Sequence, residues 1–237
     1  MTLSGFPLVA AHTGCGKAPD NSWDSLLEGI ASGAAIVEID VQACKGETAI
    51  LLHDDSPLLA EYSYEELNRP EVRSGLSSHD PAYNLVKLED ALRELVSANL
   101  LVNLDLKHPS SIDPAMKLVR QMNAQGHVFT TGCSDGLTER YPDIRAMWNS
   151  PGRLAEGEGE EEFARRICEY AAGHGYRGLN MNHSTCSGPV ARMAKSRNLL
   201  VWAYTVNEPA EMERLIALGI DAITTRKPAE IQRLMKR

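Results

Sequence analysis

The sequence predicts an α/β chain folded as a TIM (β/α)8 barrel with a short excursion after the second strand region. Three observations carry that expectation. Short β-rich runs alternate with longer helical patterns about eight times, within a chain of the length usual for such a barrel. No Gly-rich dinucleotide turn follows the first run, which disfavours the alternative, a doubly wound sheet. Polar and charged residues recur at the carboxyl ends of apolar runs, where a barrel builds its active-site face.

The first strand reads as Leu8 to Ala11, leading into His12, and the first helical pattern as Trp23 to Ser32. Ile36 to Val41 and Ala49 to His53 form a strand and a returning hairpin arm. Asp54 to Lys87, rich in Ser, Pro and charge, is the long excursion, expected as a lid or side wall over the active-site face. Alternation then resumes with a helix over Leu88 to Ala98, a strand over Leu100 to Leu106, a helix over Pro114 to Gln125, and strands over Val128 to Thr131 and Ile144 to Trp148. Helices over Glu160 to Ala172, Pro189 to Arg197, Pro209 to Leu218 and Pro228 to Met235 enclose the last strands, Gly178 to Met181, Leu199 to Thr205 and Ile220 to Thr224. Most of these helices repeat apolar residues at i, i+3, i+4. Gly33, Gly126 and Gly173 are read as helix stops, and Pro189, Pro209 and Pro228 as helix starts. Residues 1–237 are therefore expected to form one catalytic domain, with 54–87 as its lid or side wall.

Composition narrows the function classes. Hydrophobic residues at 43% and charged residues at 24% are those of an ordinary folded domain. A formal net charge of -8 without any basic block disfavours a nucleic-acid partner. Five cysteines with no Cys-x-x-Cys pair fit reduced thiols rather than a disulfide framework or a zinc site. The N-terminus lacks a basic region followed by an apolar stretch, and no run reaches the length of a membrane span. A soluble, cytoplasmic protein without stable membrane insertion is the expectation; oligomeric state is not readable.

His12, Glu38, Asp40, His53, Asp105 and Lys107 all fall at or near the carboxyl ends of candidate strands. Glu38 and Asp40 are two apart, so a strand projects both from one face, and such paired charges call for a cation. Alternation likewise puts Asn103, Asp105 and Lys107 on one face, with Leu104 and Leu106 on the other. Three carboxylates with no neighbouring cysteine suit a hard divalent cation, Mg²⁺ or Ca²⁺. The histidines are then free for proton transfer near neutral pH, a division of labour suited to phosphate-ester cleavage. Each residue alone also reads as a hydrogen-bonded structural group; six at the same ends of successive strands would need six separate explanations.

Weaker signals are set aside or ranked. Gly14-Cys15-Gly16-Lys17 is not a phosphate loop, because Ala11 and Ala18 occupy positions that require Gly and Ser or Thr. Cys15 reads as a small hydrophobe, and His79, His108, His127, His174 and His183 as structural or exposed. Trp202 and Tyr204 alternate inward, and Trp202 is preferred as an apolar wall for substrate.

The ordered motifs resemble the glycerophosphodiester phosphodiesterase family over nearly the whole chain. His12-Thr13-Gly14 is similar to its His-Arg-Gly, Pro19-Asp20-Asn21-Ser22 to its Pro-Glu-Asn-Thr, and Glu38-Ile39-Asp40-Val41 to its Glu-x-Asp-Val strand. His53-Asp54, Leu88-Glu89-Asp90-Ala91-Leu92, Asp105-Leu106-Lys107, Trp202-Ala203-Tyr204-Thr205-Val206-Asn207 and Gly219-Ile220-Asp221-Ala222-Ile223 continue the series. The resemblance implies a TIM barrel that hydrolyses a small phosphodiester with a divalent cation. It implies Glu38, Asp40 and Asp105 as metal ligands, His12 and His53 as acid and base, and Lys107 as a phosphate contact. Attack by water and attack by a neighbouring substrate hydroxyl are both compatible with it.

Three departures stand out. Thr13 replaces an arginine used against phosphate and is taken as a substrate-binding position, and Asp20 and Asp105 each shorten a glutamate by one methylene. The alternatives left open are a lysophospholipase D-like phosphodiesterase, a catalytically impaired binding barrel and a metal-free phosphosugar isomerase.

Overall fold

A computed structural model describes residues 6–236. Nine strands are present among them: β1 (Leu8–Ala11), β2 (Ile36–Cys44), β3 (Thr48–Leu51), β4 (Leu101–Leu106), β5 (Val128–Gly132), β6 (Arg145–Asn149), β7 (Gly178–Asn182), β8 (Leu200–Tyr204) and β9 (Ala222–Thr225). All but β3 are parallel, and the pairing runs β1-β9-β8-β7-β6-β5-β4-β2 before β2 returns to β1, closing an eight-stranded barrel. The antiparallel β3 pairs outside the ring along the far half of β2, Val41 opposite Leu51. The predicted TIM barrel is the observed fold.

Helices cover the outer face: α1 (Trp23–Ala31), α2 (Pro57–Glu61), α3 (Tyr64–Leu67), α4 (Pro70–Arg73), α5 (Leu88–Ser97), α6 (Ile112–Gln121), α7 (Leu137–Arg140), α8 (Glu160–Gly173), α9 (Gly188–Ser196), α10 (Pro209–Leu218) and α11 (Pro228–Leu234). Local chemistry sets their ends. The Ser22 hydroxyl accepts from the Ser25 N–H at 3.1 Å and caps α1. In α6 the prediction is shifted: Pro114 lies inside the first turn, where a missing N–H costs nothing, so the helix begins at Ile112. It also stops earlier than Gly126, because Asn123 takes the left-handed conformation (φ 53°) beyond the Met122 cap. None of the described helices is long and apolar enough to cross a membrane.

Strand alternation sorts the barrel interior into layers. Ala10, Ile36, Phe129, Met147, Trp202 and Ala222 form an apolar plug, with the Phe129 and Trp202 ring centroids 4.7 Å apart. Arg145 closes the plug from beneath, its guanidinium 3.9 Å from the Phe129 ring and its Nη2 donating to the Gly126 carbonyl at 2.7 Å. The next inward positions toward the carboxyl ends are polar, which creates the site.

The excursion packs on the β2–β3 hairpin through its own small core, Leu59, Leu67, Leu76 and Leu85 against Cys44, Ile50 and Leu52. Buried Arg73 ties it together, donating to the Asn68 carbonyl at 2.9 Å and to the Pro81 carbonyl at 3.0 and 3.1 Å. The segment is held to the hairpin by this core and braced by its own hydrogen bonds.

Candidate active site

The polar layer above the plug opens into a cavity of about 320 Å³. Its lining is polar throughout: His12, Glu38, His53, Asn103, Asp105, Lys107, Thr131, Asn149, Asn180, Tyr204, Thr205 and Thr224. Nearly every one extends from the carboxyl end of a barrel strand, the position from which barrel loops and strand ends can converge on one ligand.

His12 follows β1, and its N–H bonds the Thr225 carbonyl at 3.0 Å, which ties it to the end of β9. Its Nδ1 contacts the Thr13 carbonyl, which can only accept, so Nδ1 carries the proton and Nε2 the lone pair. That Nε2 is 3.9 Å from Glu38 Oε2. Burial is the largest influence on His12 and holds its pKa below the ordinary 6.5, while the Thr13 carbonyl pulls the other way.

Glu38 and Asp40 extend inward from β2, and both are buried. Burial, then the negative charges of Asp40 and Asp105, push the Glu38 carboxyl well above the usual carboxylate range. The loop after β1 fixes Asp40: Asn21 Nδ2 donates to Asp40 Oδ2 at 2.8 Å, and the Asp40 N–H donates to Asn21 Oδ1 at 3.1 Å. Asp105 accepts from the Thr131 hydroxyl at 3.0 Å and from Lys107 Nζ, whose ammonium also lies 2.8 Å from Asp40 Oδ1. Burial opposes the Lys107 charge, yet Asp105 and Asp40 raise its pKa above the ordinary lysine value. Carboxylate oxygens of Glu38, Asp40 and Asp105 all lie within 4.8 Å of one another. This is an oxygen-only donor set of the size a hard cation takes.

His53 stands at the rim, and its Nδ1 is 2.6 Å from Asp54 Oδ1. Asp54 is anchored by the excursion, accepting from the Ser77 hydroxyl at 3.2 Å and donating its N–H to Ser78 Oγ at 2.8 Å. The bond from His53, together with that from Ser77, lowers the Asp54 pKa. Across the floor, Asn180 Nδ2 donates to Asn149 Oδ1 at 2.9 Å, while the buried Oδ1 atoms of Asn103 and Asn180 have no hydrogen-bond partner among the described residues.

Five of the sequence-predicted site residues, His12, Glu38, His53, Asp105 and Lys107, line the cavity, and Asp40 lies directly behind them. Two expectations need correction. Trp202 is 1% exposed in the plug, so it supports the floor, and Tyr204, one alternation further along β8, lines the cavity instead. Thr13 is 4% exposed and does not reach the cavity; its hydroxyl accepts from the Asn21 N–H at 2.6 Å and meets Ser25 Oγ at 3.3 Å, pinning the loop that carries Asn21. Sequence reasoning also missed Arg226, which follows β9 and bonds Asp20 and the Gly14 carbonyl. Its place just beyond a strand end was the available signal.

The chain matches the glycerophosphoryl diester phosphodiesterase family over residues 12–140 and 154–230. Among curated relatives, the uncharacterized protein YqiK of Bacillus subtilis is 26% identical, covering 96% of this chain and 98% of its own length. The glycerophosphodiester phosphodiesterase of Bacillus altitudinis is 20% identical, covering 92% and 93%. Among solved structures, an Oleispira antarctica phosphodiesterase in complex with the product sn-glycerol-3-phosphate superposes with a TM-score of 0.77 at 20% identity, covering 98% of each chain.

Proposed function

Since the chain belongs to the glycerophosphoryl diester phosphodiesterase family and is an enzyme that hydrolyses phosphodiesters, we propose that it cleaves glycerophosphodiesters to an alcohol and glycerol phosphate in the cavity around His12 and His53. The observation that carries this reading is convergence: two imidazoles, two carboxylates and a lysine line one small polar cavity, with the Asp40 carboxylate grouped against Glu38 and Asp105.

Glu38, Asp40 and Asp105 would hold Mg²⁺ or Ca²⁺. Their fit is supported by oxygen-only donors that crowd within 4.8 Å of one another, a repulsion a cation relieves. Such an ion, when bound, neutralises charge on the phosphoryl oxygens. Lys107, held between Asp40 and Asp105, adds positive charge beside the same oxygens.

The histidines divide the proton transfers. His12 is kept neutral by burial, with Nε2 as its free lone pair, and takes the proton from the attacking water. As the new P–O bond forms, the bond to the alcohol breaks, and the leaving alkoxide takes a proton from His53. Asp54 orients that imidazole through Nδ1, which leaves Nε2 to give the proton.

The polar lining favours a small diester over a lysophospholipid, since an acyl chain needs an apolar channel and this cavity has only the Tyr204 ring to offer. The test is hydrolysis of glycerophosphocholine, glycerophosphoethanolamine and glycerophosphoglycerol with Mg²⁺ or Ca²⁺, beside a lysophospholipid and an EDTA control. Glycerol phosphate release that EDTA abolishes is expected. Tight binding without product would assign the chain to the non-catalytic barrels, and turnover in EDTA would remove the cation.

A further inference from the structure

We propose that Ser77 and Ser78, in the excursion, are positioning residues for proton delivery: through Asp54 they hold the His53 imidazole in place at the cavity. This rests on the phosphodiesterase reading above and gives the excursion a part in the reaction.

His53 follows β3, which pairs outside the barrel ring, and its side chain is 55% exposed although it lines the cavity. Backbone bonding secures the chain as far as Leu52, whose N–H donates to the Asp40 carbonyl at 3.2 Å, and Gln42 Nε2 donates to the His53 carbonyl at 3.4 Å. Neither bond touches the imidazole. A ring so exposed keeps its torsional freedom unless a partner removes it, and misplacing a reacting group by about 1 Å costs roughly 10²-fold in rate. Asp54 is that partner, through its 2.6 Å bond to Nδ1.

Asp54 is itself 47% exposed, so it orients the ring only as firmly as it is held. Its Oδ1 accepts from His53, its Oδ2 accepts from the Ser77 hydroxyl at 3.2 Å, and its N–H donates to Ser78 Oγ at 2.8 Å. With both oxygens and the N–H engaged, carboxylate plane and backbone are fixed together. The two serines are fixed in turn, because they stand between two buried anchors. Leu76 packs in the small leucine core and donates its N–H to the Arg73 carbonyl at 3.0 Å, and His79 Nε2 donates to the Tyr83 carbonyl at 2.8 Å. An unbroken line of bonds therefore joins the core of the excursion to the imidazole. In the reaction the Nε2–H bond of His53 breaks, its proton passes to the leaving oxygen as the P–O bond breaks, and Nδ1–H stays with Asp54.

The test uses the intact protein with Mg²⁺ and two substrates that share the glycerophosphoryl group. Glycerophosphocholine releases an alkoxide that needs a proton, whereas the p-nitrophenyl ester of sn-glycerol 3-phosphate releases a nitrophenolate that leaves without one. The chains are wild type, Ser77→Ala/Ser78→Ala, Ser77→Thr, Asp54→Ala alone and with both serine changes, and His53→Ala; thermal melts confirm folding. The double serine variant is expected to lose about tenfold to 10²-fold in kcat on glycerophosphocholine and less than about threefold on the nitrophenyl ester, as a misplaced acid implies. Ser77→Thr keeps the hydroxyl and should stay within about twofold of wild type. In the Asp54→Ala background the serine changes should add nothing, because they act only through that carboxylate. Equal losses on both esters overturn the proposal, since a loosened cavity wall harms both alike. So does a wild-type rate on glycerophosphocholine in the double serine variant, or a serine effect that persists without Asp54. His53→Ala tells these failures from a failure of the reading beneath them: a large loss confined to glycerophosphocholine keeps His53 as the acid, and equal losses on both esters remove it from that role and the serines with it.

Discussion

His12 and His53 sit in different surroundings, one half-buried against the Thr13 carbonyl and one exposed beside Asp54. Because burial favours the neutral form of His12, its proton is lost at lower pH than from an ordinary imidazole. The acidic limb of kcat/KM at saturating cation should therefore fall below pH 6.5, and it should disappear with the activity in His12→Ala, which is expected to lose about 10² to 10⁴ in kcat. A limb above pH 6.5 in the wild type would contradict the assignment of His12 as base. Trp202 makes a separate prediction: as part of the plug, Trp202→Ala should destabilise the fold by about 4 kcal/mol in a denaturant titration, with KM little changed. A raised KM without loss of stability would return it to the substrate wall. Strand alternation was enough to bring His12, Glu38, Asp40, Asp105 and Lys107 to one end of the barrel from sequence. It gives the face of a side chain and not its depth, which is why Trp202 was preferred to Tyr204. The partners of Thr13 and Arg226 arise from loops that close only in three dimensions, so their roles had no period to reveal them.

At the scale of elements, the excursion depends on one buried cation. Arg73 satisfies the carbonyls of Asn68 and Pro81 and bonds Asn84 Oδ1 at 2.5 Å. Arg73→Ala leaves those acceptors unpaired in a poorly solvated place and should cost about 3 kcal/mol. Hydrogen exchange should then quicken across residues 54–87 before it does in the barrel strands; uniform exchange would mean that the excursion is not a separate cooperative unit. The long helices and all nine strands were legible because each carries enough residues to display a period or an apolar run. Helices α2, α3, α4 and α7 have only four or five residues, too few for a 3.6-residue repeat; Ser56 and Ser63 cap α2 and α3, the small leucine core holds α2, α3 and α4, and Leu137 anchors α7 in the main core. The capping box of Ser63 and Glu66 at α3 was the readable exception.

For the whole molecule, closure is the decisive property. β1 pairs with β2 on one side and β9 on the other, so no parallel strand of the ring is left with an open edge. A chain truncated after Tyr204 removes α10, β9 and α11 and exposes the edges of β1 and β8. It should lose its cooperative thermal transition and associate in gel filtration; a monomeric, cooperatively melting fragment would show that the ring tolerates opening. The same closure bears on how the site comes into being. The His12 N–H is satisfied by Thr225, and Asp20 and Gly14 are clasped by Arg226, so residues from the first turn of the chain are fixed by partners from its last. A ribosome making this chain builds His12 long before its anchors Thr225 and Arg226. Until β9 has been made the cavity lacks one wall, and it is complete only when that strand has paired with β1 and closed the ring.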